Sequence, residues 1–102
     1  MSLPPNDQVQ LVAYLVATEG EGQALANAIA DIVPAVLEEP GCLGYAAHVA
    51  RDVPDTVVMY EVWESRAAFD AHLAGANFAS LSVLFKTLLS EPPRIDLLRR
   101  IA

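Results

Sequence analysis

Residues 56–63 are Thr56, Val57, Val58, Met59, Tyr60, Glu61, Val62 and Trp63. A strand points successive side chains to opposite faces, so Val57, Met59, Glu61 and Trp63 share one face and Val58, Tyr60 and Val62 the other. Both sets are apolar apart from Glu61, which predicts a strand covered on both sides. Residues 9–16 form a second such run, almost continuously apolar after Gln10. Between the two, Leu25, Ile29, Ile32, Val33 and Val36 recur at the helical repeat and predict an amphipathic helix over 22–39, with Asp31 and Glu38 off the stripe. Pro34 falls inside it. A proline removes the hydrogen bond to the carbonyl four residues back, here Ala30, at a cost of about 3 kcal/mol in a regular helix, so a kink or break is expected near 30–33. Pro40 and Gly41 end the segment.

The pattern continues with a strand over 42–51, where Gly44 marks a bulge or close approach, and a turn over 52–55. Ser65 can cap a short helix over 66–73 that Gly75 stops. Asn77 can cap a helix over 78–90, whose stripe is Phe78, Leu81, Phe85 and Leu88. Pro92 and Pro93 forbid its continuation. A last strand over 94–101 places Ile95, Leu97 and Ile101 on one face and Arg94, Asp96 and Arg100 on the other. Thr18 and Glu21 have capping-box spacing ahead of the first helix. Residues 1–7 hold two prolines and no pattern; they read as a flexible N-terminal tail, leaving 8–102 as a single domain.

This order predicts an α+β fold, ferredoxin-like βαββαβ with a four-stranded antiparallel sheet. Right-handed crossovers place the helices on one face of the sheet and leave the other bare. An apolar face of more than a few hundred Å² marks an interface. The expected solution is a twofold homodimer, sheet against sheet, forming a dimeric α+β barrel and burying roughly 800 Å² per partner.

Composition narrows the partners. The 102 residues are 54% hydrophobic and 19% charged, with a net charge of −7, as in one acidic globular domain. Arg51, Arg66, Lys86, Arg94, Arg99 and Arg100 form no patch able to neutralise phosphates, which excludes nucleic acid and an anionic membrane surface. No apolar run approaches the ~20 residues of a membrane span. One cysteine, Cys42, forms no internal disulfide, and the N-terminus lacks the basic start and apolar core of a signal peptide. Both set the expectation of a cytoplasmic protein.

Cys42, His48 and His72 match no zinc spacing. No glycine-rich phosphate loop or nucleophile signature is present, so neither metal nor cofactor is expected. Glu61, Trp63, His72, His48 and Tyr60 remain. His72 stands three residues after Phe69 and beside Leu73, on the apolar side of its helix. It reads either as an imidazole bonded to backbone at the helix end, where its charge suits the dipole, or as a pocket wall and proton acceptor. Glu61 on a covered face must be paired with an arginine, protonated, or solvated by a cavity. Trp63 is core or substrate platform. Tyr60 reads as an interface residue, and the parity of the His48 strand stays open.

The segment Glu39, Pro40, Gly41, Cys42, Leu43, Gly44 and Tyr45, then Tyr60, Glu61, Val62, Trp63, Glu64 and Ser65, then Ala71, His72, Leu73 and Ala74, then Phe78, resembles the antibiotic-biosynthesis monooxygenase family. The resemblance runs from the first strand to the last and is best marked by Glu61 and Trp63 followed by His72. It implies small dimeric α+β barrel proteins, some of which oxidise a quinol or an anthrone with O₂ and no cofactor. On that footing Trp63 stacks on or walls the ring, His72 accepts the proton, and Glu61 orients His72 or acts as a second base. The candidate substrate-binding set is Trp63, Met59, Phe69, Phe78 and Phe85. Anthrone-oxidising members carry an asparagine where Met59 stands and a helix tyrosine at Phe69, so that particular substrate loses hydrogen bonds here. Haem-degrading members carry Asn, Trp and His where this chain has Ala13, His72 and Ser82, which argues against haem degradation. The same fold also hosts isomerases and proteins without a known reaction. Three readings follow: a cofactor-free monooxygenase of a quinol- or anthrone-like aromatic, an isomerase of a small carbonyl compound using a Glu/His pair, and a dimer that binds a small ligand without turning it over.

Overall fold

Strand β1 (Val9–Val16) leads into helix α1 (Gly22–Leu37), then β2 (Cys42–Val49), β3 (Thr56–Trp63), α2 (Arg66–Leu73), α3 (Ala76–Leu88) and β4 (Arg94–Leu98). The structure, a computed structural model, describes residues 7–102. The tail expected over 1–7 thus lies, through residue 6, outside the described residues. The strands form one four-stranded sheet in the order β2-β3-β1-β4, and every neighbouring pair is antiparallel. This is the ferredoxin-like α+β arrangement. Strand β3 fills the slot between β1 and β2, because each helical crossover returns to the same side of the sheet.

One face of the sheet makes the core. Leu11, Ala13 and Leu15 of β1, Tyr45 of β2 and Val57, Met59 and Trp63 of β3 are buried with Leu25, Ile29 and Val36 of α1 and Leu81 of α3. On the opposite face Val12, Tyr14, Val58 and Val62 are half-buried, and Ala46, His48, Tyr60 and Leu98 are exposed. Within the protomer β3 is therefore covered on one side only.

Several local expectations are corrected. Helix α1 runs unbroken through Pro34. Pro34 and Ala30 both lie on its exposed side, where water can satisfy the carbonyl that the proline leaves unpaired. Strand β2 stops at Val49 and β4 at Leu98, so Arg51, Arg100 and Ile101 fall outside the sheet. Ile95 and Leu97 pair with Ala13 and Leu11, yet they are 49% and 61% exposed; no helix extends over β4. The Thr18/Glu21 capping box does not form: Glu21 is the N-cap of α1 and makes no side-chain cap. Asp55, at the tip of the β2–β3 hairpin, does that work instead. Its carboxylate accepts from the Gly20 N–H at 3.0 Å and the Gly22 N–H at 2.9 Å. Its own carbonyl accepts from the Ala17 N–H at 2.8 Å. A Cβ on Gly22 would stand 2.6 Å from the Asp55 Cα, so glycine is needed for that approach. Ser65 caps α2 as expected, its Oγ accepting from the Ala68 N–H at 3.1 Å, and the bulge lies between Cys42 and Gly44. Among the described residues no helix is long and apolar enough to cross a membrane.

Candidate active site

The α1–β2 turn delivers the first functional group. Gly41 has φ +81°, and a Cβ there would stand 2.5 Å from the Ala68 Cβ. Its carbonyl accepts from the Glu64 N–H at 2.8 Å. Glycine therefore lets the turn close against the start of α2, which sets Glu39 beside α2 and α3. There the Glu39 carboxylate bridges both helices. Oε1 lies 2.9 Å from His72 Nδ1, and Oε2 accepts from Asn77 Nδ2 at 2.9 Å. The His72 side chain is 2% exposed and that of Glu39 18%.

A carboxylate only accepts, so Nδ1 carries the proton toward Glu39, and a neutral ring keeps its lone pair on Nε2. Glu39 and Asn77 border a cleft on the outer side of the ring. Nε2 has no hydrogen-bond partner among the described residues, and His72 borders both this cleft and the cavity inside the fold. The ring plane is fixed by aromatic neighbours. Trp63 stacks on it at 4.5 Å and 29°, and Phe78 and Tyr45 meet it edge-on at 5.5 and 5.7 Å.

Inside lies a cavity of about 70 Å³ between the sheet and the helices. Its polar lining is Glu61, His72 and Tyr45; Met59, Phe69, Phe78, Leu81 and Phe85 are among the apolar remainder. Leu73 and Ile95 lie at its mouth, 38% and 49% exposed. The volume is roughly half that of the ~150 Å³ apolar cavity known to hold benzene, so an aromatic ring must extend into the mouth or displace a side chain.

Glu61 is buried in this wall, and its Oε1 accepts from Trp63 Nε1 at 3.1 Å. Burial pushes its carboxyl above the usual range; the Trp63 N–H and the His72 charge pull it back, and Glu39 pushes it up again. Tyr45 faces Glu61 across the β2–β3 pair. Burial, with Glu61, Glu39 and Cys42 adding to it, pushes its phenol well above the usual range, so the hydroxyl stays protonated. Burial likewise raises the Cys42 thiol, against the pull of the Gly44 backbone, which does not favour a thiolate nucleophile.

Of the residues singled out in the sequence, His72, Glu61, Met59, Phe69, Phe78 and Phe85 line one chamber. Trp63 stands behind them, fully buried at 0% exposure, holding Glu61 by its N–H and His72 by its face. Glu61 is not the orienter of His72; Glu39 is. The backbone partner considered for His72 and the arginine partner considered for Glu61 are both replaced, by Glu39 and by Trp63. Asn77 is a clamp on Glu39, not a cap, since α3 begins one residue earlier from Gly75. His48 and Tyr60 lie on the opposite face; His48 Nδ1 is 3.2 Å from the Val58 carbonyl oxygen. Glu39, Asn77 and Tyr45 are the site residues that reading the sequence missed. The signal for Glu39 was its place in the Glu39-Pro40-Gly41 turn. Among the described residues no three His, Cys, Asp or Glu side chains converge as metal ligands.

The family model for antibiotic biosynthesis monooxygenase matches residues 9–81, a span that holds Glu39, Glu61, Trp63, His72 and Asn77. The chain is similar to the probable quinol monooxygenase YgiN of Escherichia coli (strain K12), with 43% identity over 72 residues, 63% of this chain and 69% of that protein. Among solved structures it is similar to PA3566 from Pseudomonas aeruginosa, with a TM-score of 0.87, 30% identity, and 95% and 97% of the two chains covered. It is also similar to SO0527 from Shewanella oneidensis, with a TM-score of 0.84, 29% identity and 92% and 91% coverage.

Proposed function

The chain belongs to the antibiotic biosynthesis monooxygenase family, and from that premise we propose that it is a homodimeric, cofactor-independent monooxygenase that oxidises a quinol- or anthrone-like aromatic with O₂. The observation that carries the reading is the Glu39–His72 pair at the polar end of an otherwise apolar chamber. A bound phenol or activated C–H gives its proton to His72 Nε2. Glu39, held by Asn77, stabilises the imidazolium that forms and keeps the ring in the productive tautomer. The resulting anion is electron-rich enough to reduce O₂ directly. Phe69, Phe78 and Met59 hold the ring in place and keep water away from it. A positioned general base of this kind contributes roughly 10²–10⁴-fold.

The lining also bears on the rivals. Among the described residues no lysine or arginine lines the chamber and one carboxyl group, that of Glu61, does, so a phosphorylated carbonyl substrate would meet an acidic side chain and no fixed cation. A substrate with one polar edge and a neutral body fits better. The bare sheet face, with half-buried Val12, Val58 and Val62 around exposed Tyr60, supports the homodimer, because a second copy would cover it with like residues.

Oxygen uptake by metal-stripped protein, measured with a panel of hydroquinones and anthrones, tests the proposal. Uptake should exceed the buffer rate, fall about 10²-fold or more in His72→Ala, and fall less in Glu39→Gln, which keeps a hydrogen bond but loses the charge. Uptake no faster than buffer across the panel would sink the oxygenase and leave the isomerase or the binding dimer.

A further inference from the structure

We infer that Glu61 is the acid of this reaction: its carboxyl protonates the outer oxygen of the substrate peroxide, which then leaves as water. The inference rests on the monooxygenase reading and assigns the second proton that such chemistry must move. The structure separates two carboxyl groups by duty. Glu39 stands outside the imidazole, partly solvent-exposed and tied up by His72 and Asn77. Glu61 lines the chamber itself, and its one hydrogen bond among the described residues is the Trp63 N–H on Oε1. Oε2 therefore remains for a ligand. The titratable groups turned toward Glu61 are Tyr45 from β2, Glu39 from the α1–β2 turn and His72 from α2, with Cys42 nearby; no lysine or arginine is among them. Burial and the Glu39 carboxylate behind the imidazole raise this carboxyl against the pull of the Trp63 N–H and the His72 charge, a shift toward the form that can donate. A base and an acid are thus set apart by environment within one site.

The steps balance. His72 takes a proton from the reacting carbon or its phenol, and the anion adds O₂ to give a carbon-bound peroxide, which His72 reprotonates. His72 then removes the hydrogen still on that carbon. The C–H electron pair becomes the second bond of C=O, and the O–O bond breaks. The departing oxygen takes the Glu61 proton and leaves as water, and His72 returns its proton to Glu61. One oxygen atom enters the product and the other becomes water, so all four electrons given up by the substrate are accounted for. If that second proton is not delivered, the O–O bond stays intact: the C–O bond breaks, the hydroperoxide leaves as HOO⁻ and takes up the remaining phenol proton by way of His72, so H₂O₂ is released and a hydroquinone ends as the plain quinone.

Naphthohydroquinone is the probe, with O₂ consumed, H₂O₂ released and hydroxylated quinone formed all measured on the same sample. Wild type should release little H₂O₂. Glu61→Gln keeps an acceptor for Trp63 but has no proton to give. It should still consume O₂ while hydroxylated product falls about 10²-fold and H₂O₂ approaches one molecule per O₂. Hydroxylation as tightly coupled as in wild type would overturn the role of Glu61 and leave the monooxygenase standing. No enzymatic O₂ uptake by wild type would overturn both. Should the variant fold poorly, the infrared carboxylic-acid band of wild type decides. A band at neutral pH that an added aromatic ligand shifts supports the acid, and a fully ionised Glu61 in the resting protein overturns it.

Discussion

Trp63 and Tyr60 share strand β3, yet one is 0% and the other 42% exposed. The difference is one of parity. Odd-numbered positions of β3 meet the helices and supply the core and the chamber; of the even-numbered ones Thr56 is buried, Val58 and Val62 are half-buried and Tyr60 is exposed, although most are just as apolar. Apolar side chains on both faces mark a strand meant to be covered twice, and among the described residues helices cover it once. On the proposed reading the helix side serves chemistry and the open side assembly. Substitutions on the two sides should fail in different ways.

The sharpest break is expected from Tyr60→Asp. In a twofold dimer each copy would bury an uncompensated carboxylate, several kcal/mol per ion and twice over by symmetry. Sedimentation should show wild type at the mass of two chains and the variant at one, with the fold of the protomer kept. A wild type that already sediments as one chain removes the assembly role of the open face. Next in size, Trp63→Ala should destabilise the protomer by about 3–5 kcal/mol in urea unfolding, because the indole is packed on every side instead of bordering the cavity. A loss near 1 kcal/mol would mean that the chamber extends to Trp63. The smallest effect is one of pH. The folded state holds the Glu61 proton more tightly than the unfolded chain does. Its contribution is therefore complete below the ordinary glutamate range and is lost as pH rises toward the raised value. In that window wild type should lose up to about 1.4 kcal/mol per pH unit relative to Glu61→Gln, measured as the difference between their urea midpoints across a pH series. Equal slopes would place Glu61 in water.

Local rules made most of the fold legible. The apolar run in 56–63 marks a strand and the repeat of Leu25, Ile29 and Val36 the buried side of a helix, each a pattern within one element. Ser65 shows its cap because its partner lies three residues on. The site was half legible: His72 and Glu61 stood out as polar groups on apolar faces. Their partners did not, because a residue pattern carries no distance between segments. His72 and Glu39 are 33 positions apart and meet only because Gly41 turns the chain. Asn77 resembled a cap because caps and clamps use the same amide. Pro34 was misjudged for a related reason: its cost depends on whether the orphaned carbonyl meets protein or water, and periodicity alone does not say how wide the wet side of a helix is.

The Asp55 contact has a consequence for how the molecule breathes. Gly20 and Gly22 at the mouth of α1, and Ala17 just past β1, all rest on one hairpin residue 33 to 38 positions away in the chain, as the spacing from Asp55 to Gly22 and to Ala17 requires. Those three amides cannot fray one at a time. They open when the hairpin tip lifts and close when it returns, so the first turn of the long helix and the far end of the sheet form a single cooperative unit at the end of the sheet remote from Trp63 and Cys42.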